Sequence, residues 1–227
     1  MIEIIQTGQA GKTKSLIEMH KVRKLIFKDR MNWDIDITKE GLEIDDYDLP
    51  ETVYILVKDE QNRVTGVWRM LPSTSPSMIR DIWPDFLKTF PMKVGDNVWE
   101  VSRFGIHSYS DNPRENVRQV SNITAQLITG LLTVCNMTGI TDIYTMYNPQ
   151  VGRSVRRIGF IAEETSQEIP VDGKPSIVGR FKMNKAALER VTEITGITYN
   201  PQPEELPPIL YQRISNHQEK RREAVYA

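Results

Sequence analysis

Three clusters in this sequence combine charge with aromatic or apolar neighbours, which is what chemistry in a cleft needs. The first is Arg23 with Phe27 and Trp33. The second is the acidic run Glu43-Ile44-Asp45-Asp46-Tyr47-Asp48. The third sets Arg69 within the apolar run 64–71, and Glu100 and Arg103 within the apolar run 97–106. A charge inside an apolar strand is costly unless it is paired or solvated in a cleft. Two readings follow: a salt-bridge network that closes a sheet, or a polar cleft that holds and activates a substrate. Carboxylates beside Trp33 suit a sulfonium or ammonium centre, through charge and ring quadrupole together; the plainer alternative is a solvated Asp-rich turn. Strand alternation puts Trp99, Val101, Arg103 and Gly105 on one face, and Glu100, Ser102 and Phe104 on the other. Joining Glu100 to Arg103 therefore requires a bulge between them, or function on both faces.

Other chemistries fit poorly. Gly8-Gln-Ala-Gly11-Lys12-Thr13 has two residues between its glycines where a phosphate loop needs four, and no apolar strand is expected directly before it. His20, His107 and His217 are scattered, with no Cys or His at ligand spacing, so no metal site is expected. Cys135, the single cysteine, lies in an apolar helical stretch and reads as a buried thiol. It also rules out an internal disulfide framework. Ser102 lacks the flanking glycines of a serine elbow.

The chain that must position these clusters has 227 residues, 39% hydrophobic and 26% charged, an ordinary globular balance. Its net charge of −1, from 29 basic and 30 acidic residues, gives no chain-wide field for nucleic acid or a membrane surface. No apolar run reaches the ~18 residues of a membrane span, and no secretory signal is visible, so a cytoplasmic location is expected. Helical spacing predicts helices over 14–30, 114–138 and 184–195, with a short one opened by Pro149 and ended by Gly159. Strands are predicted at 52–58 and 64–71 as a hairpin, then at 97–106, 142–147 and 177–183. Residues 32–50 form a long acidic loop, and 77–90 short helical turns. The order gives an α/β fold with a mixed central sheet and helices on both faces. Its strand–helix–strand unit over 97–147 makes a parallel crossover whose splayed strands offer a crevice. The expected domain is 1–199. The proline-rich segment 200–227 is expected to be an extended or loosely docked tail.

Taken in order, the motifs carry a resemblance. Arg23-x-x-x-Phe27, Trp33, Glu43-x-Asp45-x-Tyr47-Asp48, Gly66-x-x-Arg69-x-Leu71-Pro72 and Trp99-Glu-Val-Ser-Arg-Phe104 run in register over 23–106. The match continues more weakly through Arg153–Gly159. Together they resemble the LuxI-type acyl-homoserine lactone synthases. That resemblance implies a GNAT-like acyltransferase fold with a V-shaped cleft between splayed strands. It implies transfer of an acyl group from an acyl thioester to the amine of S-adenosylmethionine. The methionine carboxylate then closes the lactone and expels methylthioadenosine, giving a quorum-sensing signal. The donor is acyl carrier protein or coenzyme A; the lack of a pyrophosphate loop after residue 106 favours the carrier protein. Both reactants are substrates, so no resident cofactor is expected.

Residue by residue, the resemblance implies that Glu100, Arg103 and Arg69 are catalytic, with Glu100 as the base. Arg23, Phe27, Trp33, Asp45 and Asp48 would form the S-adenosylmethionine site, with Arg23, Arg69 or Arg103 holding the substrate carboxylate. Ser102 and Thr145 would border the acyl group. Arg153, Arg156 and Arg157, with Arg114 and Arg118, would dock an acidic donor. Three positions depart from the family pattern: Pro72-Ser-Thr-Ser-Pro76 in place of Pro-Thr-Thr-Gly-Pro, Trp83 in place of Phe before Pro84, and Gly105 in place of Ala. These bear on acyl specificity. The alternatives are a GNAT-like N-acyltransferase acting on another amine, and a module that binds without turnover. The acidic loop beside Trp33 speaks against a plain acetyltransferase.

Overall fold

The computed structural model describes residues 1–226, with side chains through His217. The chain opens with β1 (Ile2–Gln6), an edge strand paired antiparallel to β2 (Val53–Lys58). This strand is missing from the sequence reading because Ile2, Ile4 and Ile5 do not alternate; pairing with β2 defines it. It leads into the turn at Gly8, contrary to expectation, though the glycine spacing still does not make a phosphate loop. Helix α1 (Thr13–Arg23) then passes into a π-helical segment, Lys24–Arg30, where one continuous helix is predicted.

β3 (Val64–Pro72) forms the predicted hairpin with β2. A short helix α2 (Met78–Asp81) and a 3₁₀ turn (Pro84–Lys88) lead to β4 (Val98–Ile106). Next come α3 (Pro113–Thr138), β5 (Asp142–Tyr147) and α4 (Pro149–Arg157). Asn112-Pro113 and Asn148-Pro149 start the two helices by one device. The Asn side chain accepts from backbone N–H groups of the first turn, and Pro fills the first helical position, where its missing N–H costs nothing. Gly139, at φ 71°, ends α3 in the left-handed conformation that favours glycine.

The remaining elements are β6 (Glu164–Thr165), β7 (Ile169–Val171), β8 (Lys174–Lys182), α5 (Lys185–Thr195) and α6 (Pro208–Tyr226). The sheet order is β1-β2-β3-β4-β5-β8-β6, with β7 paired to β8. Among the described residues, only the β4–β5 contact is parallel. One face of the sheet packs on α3, α5 and α6 around Leu127, Leu131, Ile143 and Phe181. The other carries α1 and the π segment over β1–β3, and α2 with the 3₁₀ turn over β4, β5 and β8.

The segment beyond Asn200 corrects the expected tail. Leu206, Leu210 and Ile214 recur every fourth residue and are buried in the main core. The four prolines stand before or at the start of α6 and so do not interrupt it. Among the described residues no helix is long and apolar enough to cross a membrane.

Candidate active site

Two irregularities of the sheet create the site. The first is in β4. Val67 faces Gly105 and Arg69 faces Ser102, so Trp68 alone stands opposite both Arg103 and Phe104. This is a bulge, and Arg103 occupies it at φ 54°, a left-handed backbone that costs a non-glycine residue about 1–3 kcal/mol. Of the two ways the sequence left open for joining Glu100 to Arg103, the strand takes the bulge. Arg103 comes to the face of Glu100, Ser102 and Arg69, while Phe104 turns to Trp68 on the α3 face.

The second irregularity lies between β4 and β5. Their pairing runs Val98 to Asp142, Trp99 to Ile143 and Glu100 to Tyr144, and then stops, although both strands continue. Glu100 therefore stands at the apex of a wedge-shaped gap. Past it, the edge of β4 facing β5 is no longer engaged by that strand.

On the α1 face, three guanidinium groups meet three carboxylates whose charges cancel. Glu43 accepts from Arg23 Nε, and from Arg103 at 3.1 and 3.2 Å. Asp48 Oδ1 accepts from Arg23 (2.6 Å), Arg69 (3.0 Å) and the Tyr54 hydroxyl (2.6 Å). Asp45 bridges Arg69 and Arg103, the latter at 2.6 Å. His20 secures the loop from behind: its Nδ1 lies 2.8 Å from the Glu43 carbonyl oxygen, and its own carbonyl accepts from Glu43 N–H. Burial alone would raise the Asp48 carboxyl, but Arg23 and Arg69 outweigh it and hold the group far below its ordinary value.

This geometry divides the residues by reach. The side chains of Arg23 and Arg69 are fully buried, and those of Glu43 and Asp48 nearly so; Asp45 is 20% exposed and Arg103 8%. Arg23, Arg69 and Asp48 thus form a rigid frame, and Asp45 and Arg103 are the members that face solvent. Phe27 stacks on Trp33 with ring centres 4.9 Å apart, and the Arg103 guanidinium lies 5.5 Å and 5.8 Å from the two rings. The π segment sets Phe27 there. Gly105 makes room for it: a Cβ at this position would come within 2.9 Å of Ile26 and 3.3 Å of Phe27.

Glu100 is separate from this network. It accepts from the Ser77 hydroxyl and, at 3.5 Å, from Ile79 N–H at the start of α2. Burial raises its carboxyl above the ordinary range, and the Ser77 and Ile79 donors only partly restrain the shift. Ser102 accepts from Arg69 Nε at 3.0 Å on this face. Thr145 is buried on the opposite, α3 face beside the gap, two residues along β5 from Ile143. Arg153, Arg156 and Arg157 are exposed on α4, which follows β5 directly, and Arg114 and Arg118 are exposed on the first turns of α3. Glu43 is the member that sequence reasoning left out of the site. It sat within the acidic run, but only the fold shows that it bridges Arg23 and Arg103.

A family model described as autoinducer synthase matches residues 9–191. The chain belongs to the autoinducer synthase family. An acyl-homoserine-lactone synthase of Pseudomonas aeruginosa is 30% identical over 167 residues, covering 69% of this autoinducer synthase and 81% of the relative. A coenzyme A-dependent acyl-homoserine lactone synthase, BjaI, solved with SAM and isopentyl-CoA, shares the fold at TM-score 0.76 and 20% identity. The alignment covers 94% of this chain and 98% of that one. An acyl-CoA N-acyltransferase from Pseudomonas aeruginosa aligns at TM-score 0.50 and 14% identity, over 80% and 98% of the two chains, in keeping with the GNAT-like sheet.

Proposed function

We propose that this autoinducer synthase is an acyl-homoserine lactone synthase that acylates S-adenosylmethionine and then lactonises it. The observation that carries the reading is the juxtaposition of a buried, raised carboxyl at the apex of the β4–β5 gap with an arginine–carboxylate frame that leaves Asp45 and Arg103 open. Asp45 would receive the substrate's cationic end beside the Phe27–Trp33 pair, and Arg103 its carboxylate. Arg23, Arg69, Glu43 and Asp48 would position these two.

Chemistry starts once the amine is neutral. Glu100, whose raised carboxyl makes it a stronger base than an ordinary glutamate, would take the proton directly or through a water. The amine attacks the thioester carbon lying in the gap, and the thiolate leaves. Backbone N–H groups of β4 near the bulge, free of β5, would stabilise the oxyanion. In the second step the held carboxylate attacks the γ-carbon and methylthioadenosine departs with the sulfonium sulfur. That step calls for proximity more than for a base. The donor would be an acyl carrier protein, its acidic surface met by Arg153, Arg156 and Arg157. On this reading the reaction would run in the cytoplasm, with both reactants as substrates and no call for a resident cofactor.

Purified protein given S-adenosylmethionine and an acyl thioester should release free thiol and methylthioadenosine in equal amounts, with a lactone-ring fragment in the product mass spectrum. Thiol release without methylthioadenosine would instead identify an acyltransferase that stops at the amide.

A further inference from the structure

Past Glu100 and Tyr144 the gap opens in the plane of the sheet, but on the α3 side it is closed by rings. Trp68 of β3 meets Phe104 of β4 edge-on at 5.1 Å and Phe160, which follows α4, at 6.1 Å. Phe160 stacks on Phe181 of β8 at 4.3 Å and 9°, and Phe181 meets Tyr147, at the end of β5, at 5.9 Å. Trp68, Phe160 and Phe181 are buried. Tyr147 is seated by two glycines: a Cβ on Gly152 would fall 2.6 Å from its ring, and one on Gly179 2.7 Å from its hydroxyl oxygen. The wall therefore runs from β3 to β8 across the gap, and its far end is wedged in place.

Under the reading above, the thioester carbon sits beside Glu100 and the amine arrives from the α1 face, which the charged frame occupies. The acyl chain then extends toward the other face, past Thr145 and against the rings. We infer that this aromatic wall makes the enzyme selective for compact acyl groups, branched or aryl, and excludes long linear chains. Rings with two side-chain torsions are stiff, and each is braced by the next, so a long chain would have to displace the stack. A flat or branched group ends where the wall begins and packs against ring faces.

The test is methylthioadenosine release by the purified full chain with isovaleryl, cinnamoyl, octanoyl and dodecanoyl thioesters, each on coenzyme A and on acyl carrier protein. Compact donors on the productive carrier should have kcat/KM at least about tenfold above dodecanoyl. Phe160→Leu and, as a second variant, Tyr147→Thr should shift that ratio about tenfold toward octanoyl and dodecanoyl. Their KM for S-adenosylmethionine should stay within about twofold, since neither ring touches the charged frame. Equal turnover of dodecanoyl by the unaltered chain would overturn the inference. So would an unchanged ratio in both variants, which would send the chain along the Tyr144–Met146 face instead. Failure of every thioester to yield methylthioadenosine is a different result: it would sink the synthase reading itself, and this inference with it.

Discussion

Asp48 shows how much of this site is scaffold. It accepts from Arg23, Arg69 and Tyr54 and is almost unexposed, so removing its charge leaves two buried guanidinium groups short of a partner. Asp48→Asn should cost about 3–5 kcal/mol in urea denaturation. Because its folded carboxyl is depressed, the stability it contributes is complete above its ordinary value of 3.8 and is lost as pH falls below that. A melting-temperature profile should therefore drop on the acid side, with a shallower slope in the variant. The types and spacing of Arg23, Asp45, Asp48, Arg69, Glu100 and Arg103 were legible in the sequence. Their division of labour was not. Which arginine keeps contact with solvent depends on burial that no local pattern encodes, and Glu43 looks like any acidic loop residue until the loop is folded against α1.

At the scale of elements, α1, α3, α4, α5 and most strands follow from periodicity and capping, as Asn112-Pro113 and Asn148-Pro149 illustrate. The π turn escaped that reading for a physical reason, and the bulge stood in it only as one of two ways to join Glu100 to Arg103. A bulge inverts strand alternation without changing composition, and a π turn shares its residue types with an α-helix. Both meet at Gly105, where the π segment presses on β4. Gly105→Ala, which restores the residue usual in the family pattern, should force Ile26 and Phe27 outward. The expected cost is about 1–3 kcal/mol, at the lower end because Ile26 Cδ1 is the tip of a side chain. The expected kinetic signature is a raised KM for S-adenosylmethionine with kcat less affected. Unchanged kinetics would mean that the Phe27–Trp33 pair is not set by this contact.

For the molecule as a whole, the β2–β3 hairpin and the parallel β4–β5 contact were within reach of topology rules, whereas the placement of β1, β6 and β7 and the fate of the C-terminal segment were not. Proline content argued for a loose tail, and the stripe of Leu206, Leu210 and Ile214 outweighs it. α6 also reaches the end of β4 that carries Glu100: Arg213 donates to Asn97 at 3.1 Å and lies over Trp99 at 5.9 Å. Leu210→Ala should destabilise the entire domain by about 2–5 kcal/mol in a single cooperative transition. A separate low-temperature transition would mean that α6 melts on its own.

The central claim is that Glu100, at the apex of the gap, removes the proton from the attacking amine. The pH dependence of kcat/KM for acylation, followed by thiol release in the native chain and in Glu100→Gln, tests it most directly. The native profile should show an acid limb above 4.5, the ordinary glutamate value, because burial raises this carboxyl. The variant should be slower by about 10²–10⁴-fold and lose that limb. A variant with native rate and an unaltered acid limb would place the base elsewhere.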